Sequence, residues 1–158
     1  MYQVEHVANS IIYASRMANQ TISLMKLQRL LYLLYAEYYK LTDKPLFNIG
    51  FETWTYGPAI EKLYYAYTGH FGRNTTKDIR TYIPDPEGYL KKTILSPYEN
   101  DDYLFLQAWN KIWNVYGDRS GIELCQITRT QDSAWYKAVK NGQRFLNDED
   151  IKQEAYTH

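Results

Sequence analysis

The residues able to do metal, nucleophilic or acid–base chemistry are few and scattered along this chain. The histidines are His6, His70 and His158, far apart in sequence, and no two of them stand one helical turn from each other. There is no His-Glu-x-x-His helix and no Cys-x-x-Cys pair, so no zinc site is expected and no cofactor is called for. Gly-x-Ser-x-Gly elbows and phosphate-cradling glycine loops are equally missing. Cys125 sits beside Leu124 and Ile127 on an apolar helical face, the setting of a core residue. Only a fold that brought it to His6 or His70 would turn it into a nucleophile. The carboxylate groups Asp101-Asp102 and Asp148-Glu149-Asp150 stand where helices begin, and capping accounts for them better than general acid–base work. No enzymatic activity is expected.

Binding is the other chemistry to weigh. Lys26 and Arg29 fall on the polar side of a long helix and Lys91-Lys92 in an irregular stretch, each interleaved with tyrosines. Such a pattern could hold a single nucleic-acid strand by stacking and charge; a solvated helix face is the plainer reading. The 158 residues carry 18 basic and 18 acidic side chains, a net charge of zero that lacks the cationic excess of a duplex-DNA binder. One cysteine, no apolar run of membrane-spanning length and no basic leader at Met1–His6 make a soluble, cytoplasmic protein the expectation. Aromatic content is the outlying quantity. Seventeen tyrosines, four tryptophans and five phenylalanines make up 16% of the chain, yet mean hydropathy is −0.56. Tyrosine serves cores and recognition surfaces alike, because a large apolar ring carries a hydroxyl at low rotamer cost.

Apolar periodicity locates the elements that position these residues. Val4, Val7, Ala8, Ile11, Ile12 and Ser15 form one stripe of a helix over Tyr2–Ala18. Thr21 or Ser23 can cap a second helix at about 24–41, where Leu24, Leu27, Leu30, Leu31, Leu34, Tyr35, Tyr38 and Leu41 form a stripe broad enough to demand burial on several sides. This is predicted to be the central helix, stopped by Thr42-Asp43-Lys44-Pro45. Period-two alternation over 51–56 predicts a short strand, with Trp54 and Tyr56 on the same side. Pro58 then suits the first position of a helix over 59–67 that Gly69 closes. Residues 70–98 are irregular, with a short strand at 79–83. Asp101 or Asp102 caps a helix running to Tyr116, ended by Gly117. Ser120-Gly121-Ile122-Glu123 fits a capping box, Asp132 starts a short helix, and Asn147–Asp150 open the last one. Neither flank of the irregular stretch can bury its own core, so residues 1–158 are expected to form a single, mainly α domain with a minor β component, a helical bundle around 24–41.

Order and spacing within Val4–Tyr67 carry a more specific signal. The chain reads Val7-Ala8-Asn9 and Ile12, then Ile22-Ser-Leu-Met-Lys-Leu-Gln-Arg-Leu-Leu-Tyr32, then Pro45-Leu-Phe47. Phe51-Glu-Thr-Trp54, Tyr56-Gly-Pro-Ala-Ile60 and Leu63-Tyr64 follow. This series resembles the Panacea domain, the SocA-like (also GepA-like, phage-associated) antitoxin family, whose hallmarks are a Met-Lys-Leu-Gln-Lys-Leu-Leu-Tyr helix, a Pro-Leu-Phe turn and an Ala-Trp-x-Tyr-Gly-Pro-Val segment. Looser matches follow at Val115-Tyr-Gly117, Leu124, Ile127-Thr128 and Ala134-Trp135. Arg29, Thr53 and Ala59 stand where lysine, alanine and valine are commoner, and Arg129 replaces a frequent histidine.

The resemblance implies an antitoxin that neutralises a cognate protein toxin by direct contact and, for one branch of the family, delivers it to a bacterial ATP-dependent protease. The alternative is a phage or prophage accessory protein that binds a host protein or single-stranded nucleic acid. The motif residues Lys26, Gln28, Tyr32, Trp54, Tyr56, Gly57, Pro58 and Tyr64 are the candidate partner-binding set. Trp54, Tyr56 and Pro58 either lock a strand–helix junction or present a face to the partner. Lys26, Gln28 and Tyr32 either hold the Trp54–Pro58 segment by hydrogen bonds or meet the toxin themselves.

Overall fold

A computed structural model describes residues 1–68, 74–75, 82–84, 90–92 and 102–156. In chain order the described elements are α1 (Val4–Met17), β1 (Ile22–Ser23), α2 (Leu24–Thr42), β2 (Glu52–Trp54), β3 (Gly57–Ala59) and α3 (Glu61–Thr68). After them come β4 (Asn74–Thr75), β5 (Tyr82–Pro84), β6 (Leu90–Lys92), α4 (Tyr103–Tyr116), α5 (Gly121–Thr128), α6 (Ala134–Lys140) and α7 (Asp148–Ala155). The protein is mainly α with a minor β component. The described strands form three antiparallel pairs, β1 with β4, β2 with β3, and β5 with β6.

Helix α2 is the axis of the molecule. Every residue from Lys26 to Glu37 is buried, because α1, α4, α5, α7 and the β2–β3 hairpin surround it. Capping begins and ends it. Ser23 Oγ accepts from the Lys26 N–H at 3.1 Å, and Asp43 terminates the helix in the left-handed region at φ 56°. Around its middle, Tyr32, Tyr35, Phe47 and Phe51 make an aromatic cluster with ring centroids 5.0–5.9 Å apart, the Tyr32–Phe51 pair edge to face.

Helices α4 to α7 begin where short polar side chains satisfy first-turn N–H groups, whereas α1 starts without a side-chain cap. Asp102 caps α4 through the Phe105 N–H at 3.0 Å and also accepts the Tyr2 hydroxyl at 2.9 Å, pinning the N-terminus to α4. Ser120 caps α5 and Asn147 caps α7. Helix α6 is capped by Ser133 rather than Asp132. Glu154, buried on α7, accepts the Ala134 N–H at 2.8 Å and so fastens α6 to α7.

Two expectations are corrected here. The strand predicted over 51–56 ends at Trp54, and Tyr56 lies in the turn of a hairpin rather than beside Trp54 on one strand face. Pro58 does not open a helix: it sits in β3 opposite Thr53, and α3 starts three residues later. The strand predicted at 79–83 corresponds to β5 at its end, while residues 79–81, Gly69, His70, Asp101 and His158 lie outside the described residues.

Burial of so many phenols has a pH consequence. Tyr32 is held well above the ordinary phenol value of 10.0 by burial, with the Glu154 carboxylate adding to it. Burial likewise raises Tyr35, Tyr38 and Tyr116. The unfolded chain therefore loses phenol protons near pH 10 that the folded chain keeps, so the stability these phenols contribute is fully present below about pH 10 and is lost as pH rises above it. Absorbance titration followed alongside circular dichroism should show these phenols ionising together with loss of helix. Complete phenolate formation with the helix signal intact would contradict the buried assignment.

Candidate functional site

The β2–β3 hairpin presents the Thr55-Tyr56 turn at the surface while its other end is fastened to α2. The reversal depends on Gly57, whose φ of +128° is a conformation that side-chain-bearing residues rarely adopt. A Cβ there would stand 2.8 Å from Arg29 Nε and 3.2 Å from Thr128 Oγ1. That close approach lets α2 and α5 reach the turn's backbone.

Carbonyls of the turn are then bound one by one. Arg29 donates from Nε to Tyr56 O at 3.1 Å and from Nη1 to Pro58 O at 3.0 Å. Arg129, at the end of α5, donates from Nη1 to Thr55 O at 3.3 Å and from Nε to Cys125 O at 3.2 Å. Gln28 closes the far end: its Nε2 donates to Ile60 O at 2.8 Å and its Oε1 accepts from Ile60 N at 2.9 Å. On the opposite flank the Trp135 indole N–H donates to Trp54 O at 2.8 Å, and the Arg144 carbonyl accepts the Thr53 N–H at 2.9 Å. These backbone groups of the hairpin thereby find partners that the short two-strand ladder does not supply.

The hairpin encloses one side of an apolar cleft of about 160 Å³ lined by Leu24, Met25, Gln28, Arg29, Trp54, Tyr56, Ala59 and Tyr64. Trp54 and Tyr64 meet edge to face, with ring centroids 5.2 Å apart. Tyr56 is 60% exposed and Tyr64 39%, so two rings at the rim face solvent. The lining contains no histidine, cysteine or carboxylate, and among the described residues no group of three or more such side chains could hold a metal. The lining offers apolar surface and sets no nucleophile beside a base.

Four of the eight candidate residues, Gln28, Trp54, Tyr56 and Tyr64, line this cleft. Gly57 and Pro58 are buried just behind it. The other two lie elsewhere. Lys26 is buried against the end of α4, donating to Gly117 O at 2.6 Å, where its charge complements the helix C-terminus. Burial lowers its pKa and Asp118 opposes that shift. Tyr32 is fully buried in the aromatic cluster beside Glu154. The reading of Lys26 and Arg29 as a solvated or strand-binding face is overturned, since only 8% and 3% of each is exposed.

Arg29 is the residue whose part the sequence conceals. Burial lowers its pKa, the Cys125 thiol against it opposes the shift, and the Arg129 charge lowers it further. Arg29 lies one and four residues after Gln28 and Met25 on the same flank of α2. A polar pair on a helix that needs burial on every side is the available signal.

No curated protein and no solved structure matches the chain. The antitoxin SocA-like family, Panacea domain, matches residues 27–136, well over half of the sequence. The matched span runs from Leu27 on α2 to Tyr136 on α6, so it takes in the hairpin, its arginine and glutamine contacts and the Trp135 indole. By that match the chain belongs to the SocA-like antitoxin family, as a Panacea domain.

Proposed function

We propose that this protein neutralises a cognate toxin in the cytoplasm by direct protein–protein contact through the Tyr56 turn and the cleft behind it, and that it acts without catalysis. Family membership supports the antitoxin role. The observation that carries the choice of face is Tyr56. Its ring is 60% exposed, whereas its own carbonyl is held by Arg29 at 3.1 Å. An aromatic side chain on a pre-organised backbone is the composition of an interface anchor: binding orders little that is not already ordered. No helix among the described residues is long and apolar enough to cross a membrane, which agrees with a role in solution. Delivery of the bound toxin to an ATP-dependent protease is the finer form of the proposal.

Affinity co-purification of the product of the adjoining reading frame tests it, with the toxin's cellular level distinguishing the two forms. A stable complex with undiminished toxin indicates a blocker, and toxin depletion that requires the protease indicates an adaptor. Tyr56→Ala should weaken that complex by at least tenfold, the loss of a hot-spot ring being worth about 2 kcal/mol. The melting temperature should stay nearly unchanged, because the ring supports little of the core. A large fall in melting temperature, or full binding by the variant, would take Tyr56 out of the interface.

A further inference from the structure

The turn that borders the cleft is clasped by two cations that have no anionic partner among the described residues. Arg29 and Arg129 bond to carbonyls and the Cys125 thiol. Neither stands within ion-pair distance of a described carboxylate, in contrast to the lysines and arginines that pair with Glu5, Glu37, Asp43, Glu52, Glu61, Glu123 or Asp150. Acids on the neighbouring elements are already engaged, Glu61 by Arg144 and Glu123 by Arg119. Arg29 is buried, but Arg129 is half-buried and spends Nε and Nη1 on backbone. A guanidinium has five N–H donors in a fork that matches a carboxylate, so Nη2 remains to be used. The same turn faces an apolar cleft of about 160 Å³, and an apolar cavity of roughly that size accepts a group as large as benzene.

We propose that the cleft receives one leucine-sized or aromatic side chain from an acidic segment of a protein partner, with a neighbouring carboxylate of that segment pairing with Arg129. This rests on the antitoxin reading for the partner's identity, but not for the chemistry of the site. A single nucleic-acid strand fits less well. Strand binding draws its affinity from several phosphate contacts along a groove, and among the described residues this turn carries one half-exposed guanidinium, Arg129, on a chain of zero net charge.

The test is a nitrogen-15 NMR titration of the whole protein with two blocked dipeptides, acetyl-leucyl-glutamate amide and acetyl-leucyl-lysine amide. The glutamate probe should shift the Trp54 indole and the Arg129 Nε–H resonances and bind roughly threefold more tightly than the lysine probe, the size of a half-exposed ion pair. Arg129→Gln should erase that difference while the Trp54 shift persists. Equal binding of both dipeptides, or no shift at Trp54 with either, overturns the proposal. So does tighter, salt-sensitive binding of an oligothymidylate strand at the same resonances. The two readings fail separately. A toxin complex formed by a protein whose cleft ignores both dipeptides removes the site chemistry alone. Dipeptide discrimination without any toxin complex removes the antitoxin reading alone.

Discussion

Gly57→Ala is expected to destabilise the protein by about 4 kcal/mol, the sum of a strained backbone and an overfilled contact. At φ +128° a Cβ is disfavoured whatever the space around it, and here it would also stand 2.8 Å from Arg29 Nε. Relief requires Arg29 to withdraw, and that would release the Tyr56 and Pro58 carbonyls it holds. The two costs therefore arise together instead of offsetting each other. Thermal unfolding should show a fall in melting temperature on the order of 10 °C for a chain of this length. Gly142→Ala provides the control, since that glycine also has positive φ, at +66°, but its added methyl group would meet nothing within 4 Å. Equal losses at both sites would mean that the Arg29 contact contributes nothing to the hairpin.

Gln28→Leu is expected to cost about 2 kcal/mol, because it leaves the buried Ile60 N–H without its acceptor, whereas the Ile60 carbonyl keeps the Leu63 and Tyr64 N–H groups at 3.2 and 3.3 Å. Ile60 is 1% exposed and Gln28 3%, so the Ile60 N–H gains no water when the amide is removed. Each buried group left unpaired costs roughly 1–3 kcal/mol, against which leucine's apolar contacts are a partial offset. Gln28→Glu separates the two bonds. A carboxylate still accepts from Ile60 N but faces the Ile60 carbonyl with no proton to give, so this variant should lose stability as pH rises through its carboxyl pKa. Chemical denaturation of both variants across acid to neutral pH checks this. A glutamate variant as stable as the parent at neutral pH would show that the Nε2 bond is dispensable.

How far the sequence discloses this arrangement depends on the range of the interaction. Local signals are legible. The leucine stripe marks α2 as a helix buried on several sides, and its predicted end at 41 differs by one residue from Thr42. Ser120 caps the helix it is expected to cap, and Ser23 and Asp102 are the caps out of the two candidates offered at each start, because a cap acts over three residues. The hairpin is half legible. Trp54 and Tyr56 stand out as a unit, but the period-two pattern continues through a turn that only the Gly57 backbone reveals. Pro58 reads as a helix start because its φ fits both a helix and a strand edge. Least legible are the long-range contacts. Arg29 meets carbonyls 27 and 29 positions away, and a backbone carbonyl has no residue type to betray it. Arg129 reaches Thr55 from 74 positions away. Buried side chains of this kind look like surface residues in sequence, since their partners are invisible there.

Survival of a bacterial host is the most direct test of the antitoxin account. The reading frame adjoining this protein's gene would be induced alone and together with the protein, and viable cells counted. The account predicts that the adjoining product arrests growth and that co-expression of the wild-type chain restores it, with Tyr56→Ala restoring it less well at equal protein level. Growth arrest that persists while the folded wild-type protein accumulates would contradict it.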